Sequence, residues 1–330
     1  MPPILEVKNL VTKFHAIDGV VNAVNGVSFT LEEGETLAIV GESGSGKSVS
    51  MMSILGLLPS PPAKVESGQA IFHSEKGAVD LLKLPYEEMS NMRGGRIGFI
   101  FQDPGTSLNP ILTVGEQITE SLTRHLGLDS QQARRRAVDL LAVVGIPDPE
   151  LRFSAYPFQL SGGMRQRVMI AIAIACSPSM VIADEPTTAL DVTIQAQIVS
   201  LFKDLRKKMG VSTIWITHDL GLVAGLADRV LVMYAGKVME SAPVDDLYEN
   251  PQHPYTVGLL GALPRLDTDE ERRLVSIEGA PPDSTIPIQH CPFAWRCTRV
   301  FERCWQEVPA LLDVEKNHQA SCFAVRGRGG

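Results

Sequence analysis

The stretch "GESGSGKS", Gly41 to Ser48, ends in Lys-Ser and follows the apolar run "TLAIV". A strand feeding a Gly-rich turn of the form G-x-x-x-x-G-K-[ST] is a phosphate cradle. Backbone N–H groups of Gly41, Glu42, Ser43, Gly44, Ser45 and Gly46 would line it at a helix N-terminus, where the helix dipole favours negative charge. Lys47 is then placed for β and γ phosphates and the Ser48 hydroxyl for Mg²⁺. A second acidic site supports the first: "SMVIADEP" ends an apolar run at Asp184, suited to hold Mg²⁺, and Glu185 beyond it could polarise an attacking water. In "LSGGMRQ", Ser161, Gly162 and Gly163 open another helix with polar hydrogen-bond donors. One nucleotide does not need two such loops from one chain. The economical arrangement is a head-to-tail dimer, in which Ser161, Gly162 and Gly163 of one protomer approach the γ-phosphate held by the other.

The elements that must position these groups are legible from periodicity. "ILEVKNL", "GVSFTL" and "TLAIV" read as strands separated by turns. From about 113 to 176, "TVGEQITESLTRHL", "QQARRRAVDLLAVVG" and "SGGMRQRVMIAIAIA" repeat apolar residues at spacings of three and four, which predicts a block of helices. "SMVIADE" and "STIWITHD" are short strands, each leading into a helix, and that alternation implies a parallel sheet covered on both faces. After about Pro251 the sequence turns Pro-rich and weakly periodic, and a domain boundary is expected there.

Composition limits the function classes. The 330 residues suffice for more than one domain, with 44% hydrophobic and 21% charged content typical of a globular chain. A net charge of -8 argues against broad binding to nucleic acid. The opening "MPPILEVKNL" carries Glu6 and Lys8 where a signal peptide needs an unbroken apolar core. The longest apolar run, "VMIAIAIAC", stops at Ser177, short of the roughly 20 residues of a spanning helix.

The ordered motifs resemble the ATP-binding cassette (ABC) family over residues 1 to about 250. Besides the three above, "FQDP" is similar to that family's glutamine loop (Gln102), "ALD" to its dimer-contact loop (Asp191) and "ITHD" to its histidine loop (His218). The resemblance implies a phosphate-loop (RecA-like) α/β core, with a β-rich subdomain, an α-helical subdomain at about 103–178 and a small Cys-rich C-terminal extension at 251–330. It further implies that Glu185, His218 and Gln102 act in catalysis, with Gln102 joining Ser48 and Asp184 around Mg²⁺ and coupling the site to membrane subunits. Phe14 is the candidate for stacking on adenine. "FQDPGTSLNP", "YPFQLSGGMRQRV" and "NPQHPYT" narrow the likeness to ATPase subunits of bacterial importers for dipeptides, oligopeptides or nickel. Such a subunit implies a second cassette, favouring a paralogue, two transmembrane permease subunits, indirect service to an extracytoplasmic solute-binding protein, and a peripheral place on the cytoplasmic face of the inner membrane.

Four of the five cysteines crowd one end: Cys291, Cys297, Cys304 and Cys322. Their gaps, among Pro, Arg, Glu and Trp, suggest ligands, whereas Cys176 in an apolar helix reads as a buried thiol. Disulfides do not suit a cytosolic ATPase. The absence of a short C-x₂₋₄-C knuckle favours a [4Fe-4S] cluster over the alternative, structural Zn²⁺. The importer resemblance implies the same cluster, and His290 and His318 stand as substitute ligands. Two rival functions are a soluble cassette ATPase of translation or repair, against which stand the single signature and absence of sustained heptads, and an ATP-gated metal or redox sensor.

Overall fold

The computed structural model describes residues 2–75, 77–188, 190–263 and 277–325. Two compact units share the chain. One comprises Met1–Ile4, Glu32–Glu35 and Lys83–Ile216; the other comprises Leu5–Leu31, Thr36–Leu82 and Thr217–Gly330. The strands, in chain order, are β1 (Leu5–Ala16), β2 (Gly19–Leu31), β3 (Thr36–Val40), β4 (Ala63–Ser74), β5 (Gly77–Asp80), β6 (Ile97–Ile100), β7 (Met180–Asp184), β8 (Ser212–Thr217), β9 (Arg229–Tyr234), β10 (Lys237–Pro243), β11 (Leu312–Glu315) and β12 (His318–Ala320).

The first unit carries the helical block. Its strands β6, β7 and β8 are parallel neighbours, with β7 buried along its whole length, as expected for strands covered on both faces. The helix Val114–Leu126 opens on a capping box in which the Thr113 side chain accepts from the Glu116 N–H. Asp129 and Gln132 repeat the device for the helix Ser130–Val143. Thr-x-x-Glu and Asp-x-x-Gln are visible in the sequence as start signals, and the helices begin where those signals fall. Gly115 packs directly under the Phe153 ring, so any larger residue there must push that ring aside. Cys176 lies beyond the end of its helix, Gly162–Ile174, rather than inside it; it is 7% exposed, and burial raises its thiol pKa. The expectation of an inert buried thiol stands.

In the second unit β2, β1, β4 and β5 form an antiparallel sheet. β1 and β2 run 12 and 13 residues, longer than the apolar runs predict, because bulges shift the register and break the alternation. β3 and β9 are parallel and deliver the phosphate loop. β9 continues antiparallel to β10, β10 to β12 and β12 to β11, so the C-terminal segment adds a hairpin to this sheet. That hairpin is absent from the sequence reading: its strands are four and three residues long, and β12 joins the sheet through β10, about 78 residues earlier. The described residues from 251 onward therefore belong to the compact unit that holds the phosphate loop.

A buried carboxylate fastens the junction. Glu240 on β10, fully buried, accepts from the Gln252 N–H at 2.7 Å, the His253 N–H at 2.9 Å and pairs with His318 Nε2 at 2.7 Å. One ring nitrogen of His318 is thereby committed to Glu240. His253 accepts the Tyr255 N–H on Nδ1, and burial pulls its pKa down to about 4 against a smaller raising effect of Glu240. The unfolded chain takes up this proton near pH 6.5 and the folded one only near 4, so the contribution is full at neutral pH and is lost as pH falls from 6.5 towards 4. About 2 kcal/mol should disappear between pH 7 and pH 5. Urea denaturation of wild type and His253→Gln at both pH values checks this: the variant should lose that part of the pH dependence.

Candidate functional site

In the second unit, β3 ends at Val40 and the chain turns through Gly41–Gly46 into the helix Lys47–Ile54. Two glycines are required by space. A Cβ at Gly41 would sit 2.2 Å from the Met233 carbonyl oxygen, and one at Gly46, in a left-handed conformation (φ 94°), 2.5 Å from the Ala23 carbonyl oxygen. The loop is locked from its flanks, since the Gly236 N–H donates to the Ser45 carbonyl at 2.9 Å and the Asn25 N–H to the Gly236 carbonyl at 2.8 Å. Lys47, 5% exposed, donates from Nζ to the carbonyls of Gly41 (2.8 Å) and Glu42 (3.0 Å). An ammonium so held is a buried cation inside a ring of amides, which is the electrostatics a phosphate needs. Ser48 occupies the second position of the helix. Phe14 lies within β1, half-buried, opposite Val21 on β2 and Ala63 on β4. His218 follows β8 directly and is exposed.

In the first unit, Asp184 is the last residue of β7 and 6% exposed. Glu185 takes a positive φ of 46°, costly for a residue with a side chain and typical of functional sites. Its N–H donates to the Ile216 carbonyl at 3.0 Å, and its Oε2 accepts from Gln102 Nε2 and Thr188 Oγ1, each at 2.9 Å. Gln102 and Glu185, 83 residues apart, are thus brought together. Thr188 is a partner the sequence reading missed; its place three residues after Glu185, in "DEPTT", was the available signal. Ser161 caps its helix by accepting the Met164 N–H at 3.3 Å, and Ser161 and Gly162 are exposed. Asp191 likewise caps the helix Val192–Met209 through the Ile194 N–H and remains exposed. Of the "ALD" loop, Ala189 lies outside the described residues.

A family model described as "ABC transporter" matches residues 24–188, half of the chain. The chain belongs to the ABC transporter family of ATPases. A second model, "Oligopeptide/dipeptide transporter, C-terminal region", matches residues 239–304 of this ABC ATPase. It is 51% identical to an oligopeptide transport ATP-binding protein of Bacillus subtilis over 98% of this chain and 89% of that one. It is also 51% identical to the dipeptide transport ATP-binding protein of the same organism, over 98% and 95%. Among solved structures, the dimeric cassette MJ0796 superposes with a TM-score of 0.64 at 30% identity, covering 73% of this chain and 98% of that one. A post-hydrolysis dimer of the same cassette, bound to ADP and Pi, gives 0.64 at 28%, with the same coverage. The ABC cassette fold and ATP hydrolysis follow. Among the described residues no helix is long and apolar enough to cross a membrane.

The C-terminal cysteines gather as the spacing suggests. The Cys291 N–H donates to the Cys304 carbonyl at 3.1 Å, and burial, with Cys304, Cys322 and Cys297 nearby, pushes the Cys291 thiol up to about 11. Cys297 and Cys322 are also raised, by burial first. Yet among the described residues no group of three or more His, Cys, Asp or Glu is assembled to hold an ion. Cys291 and Cys304 are buried in an apolar cluster against which the half-buried Cys297 packs, and Cys322 is half-buried; burial favours the protonated thiol at Cys291, Cys297 and Cys322. His290 turns its Nδ1 to the Cys291 carbonyl at 3.1 Å and packs on Trp305.

Proposed function

We propose that this ABC ATPase is the nucleotide-hydrolysing subunit of a bacterial importer for oligopeptides or dipeptides. The observation that carries the reading is the 51% identity, over 98% of the chain, to proteins whose names give that role, joined to the peptide-transporter match at 239–304. ATP hydrolysis would drive separate permease subunits, two by family pattern, fed by a solute-binding protein, from the cytoplasmic face of the membrane. A second cassette, favoured as a paralogue, completes the assembly. The cassette at 1–250 and the extension at 251–330 would be its functional divisions. Nickel import is the alternative.

In this reading Lys47 binds β and γ phosphates, Ser48 and Asp184 hold Mg²⁺, and Phe14 meets adenine. Glu185 accepts the proton of the attacking water, with Gln102 orienting it and His218 on the γ-phosphate. The exposed Ser161, Gly162 and Asp191 support use in trans, because groups serving only their own protomer need no exposure. The test is uptake of labelled tripeptide by cells deleted for the gene: restoration by wild type but not by Lys47→Ala supports the reading, whereas restored nickel uptake alone selects the alternative.

The [4Fe-4S] assignment belongs here as well. Its support is a donor set of four neighbouring thiols with amide N–H groups directed at sulfur, including Arg299 N–H to Cys297 Sγ at 3.3 Å, which favour thiolate over thiol. A cluster held by Cys291, Cys297, Cys304 and Cys322 would staple the extension. Anaerobically purified protein should then contain about four irons and four acid-labile sulfides, and Cys291→Ser should lose both. One zinc per chain, or no metal, would discard the cluster.

A further inference from the structure

The second residue of the phosphate loop is an acid, and a carboxylate is a poor neighbour for a triphosphate. Glu42 is pinned at three points. Its N–H donates to the Tyr255 hydroxyl at 2.9 Å, its carbonyl accepts Lys47 Nζ, and its carboxylate is gripped by Arg296. The grip is two-pronged: Nη1 to Oε2 at 2.6 Å and Nη2 to Oε1 at 2.9 Å. Arg296 is itself fixed, donating from Nε to the Glu278 carbonyl at 3.0 Å, from Nη2 to the Ile277 carbonyl at 3.2 Å and from Nη1 to the Tyr234 hydroxyl at 3.2 Å. Its side chain is 5% exposed, against 28% for Glu42. The hydrogen bonds to Glu42, chief among several causes, raise the Arg296 pKa further. Five donations to four partners make this a built socket rather than a surface ion pair.

We propose that Arg296 is a positioning residue for nucleotide binding: it neutralises the Glu42 carboxylate and holds it back, so that the loop presents only amides and Lys47 to phosphate. The inference rests on ATP occupying this loop. It assigns to the C-terminal extension a part in the nucleotide site, transmitted through one guanidinium. Without Arg296, an unpaired carboxylate would remain in the loop, and its repulsion grows with the number of phosphates.

Equilibrium binding of ATP, ADP and adenosine to the full-length chain tests the proposal. Arg296→Met should weaken ATP by about tenfold or more and ADP less, leaving adenosine within about twofold. Adding Glu42→Gln to Arg296→Met should recover most of the ATP loss, since it removes the orphaned charge. Equal weakening of all three ligands, or no recovery in the double variant, means that Arg296 only supports folding and overturns the proposal. Wild-type ATP affinity in Arg296→Met overturns it too. Lys47→Ala serves as control: if it also binds ATP normally, the loop is not the ATP site and both readings fall.

Discussion

Glu185→Gln should slow ATP hydrolysis by about 100-fold or more, about 2.7 kcal/mol in the barrier, while ATP affinity stays within about threefold. The exchange preserves shape and leaves one amide oxygen to accept from both Gln102 Nε2 and Thr188 Oγ1, which in the wild type share the single Oε2, so the local geometry survives. What is lost is a group able to take a proton from water. Single-turnover hydrolysis, with ATP binding measured alongside, separates the two effects. A wild-type rate would remove Glu185 from the chemistry and leave its positive φ without a functional reason. Thr188→Val should give a smaller loss, of about tenfold, because it removes one of the donors that aim the carboxylate.

Lys47→Ala should instead weaken ATP binding by about 100-fold, the size expected when a charge-assisted contact to phosphate is deleted. The same change strips the Gly41 and Glu42 carbonyls of their Nζ donor, so part of the loss is a looser loop. Lys47→Arg distinguishes these components: it restores charge, but a planar guanidinium cannot occupy the space of a compact ammonium 5% exposed. Titration with a fluorescent ATP analogue measures both variants, and normal affinity in Lys47→Ala would refute the assignment.

The parts of this molecule that a reader of the sequence can see are those with local chemistry. The loop from Gly41 to Ser48, Asp184 with Glu185, and the Ser161 helix start each occupy a few consecutive residues, because a phosphate or a metal is small and the backbone that meets it is short. Parallel strands such as β7 are equally plain, since burial on both faces leaves an unbroken apolar run. Less legible is what depends on distant pairing. The docking of β12 on β10, the Glu240 junction with Gln252, His253 and His318, and Arg296 on Glu42 join residues 12 to 254 positions apart, and nothing in the local composition near Cys297 announces a partner in the phosphate loop. The cysteines are intermediate: their crowding at one end is plain in the sequence, but which of them are buried depends on an apolar cluster built from distant residues such as Tyr234 and Tyr255.

The pairing of residue 42 with residue 296 also sets a schedule for biosynthesis. The phosphate loop leaves the ribosome early, but its counter-charge is made 254 residues later, roughly 10 to 50 seconds at ordinary elongation rates. Once residue 218 has been added, the nascent chain carries every nucleotide motif with Glu42 still unmatched. A product released early, before residue 296, would keep the whole "GESGSGKS" yet lack its counter-charge, so nucleotide capture becomes a late sign that translation has run through the extension.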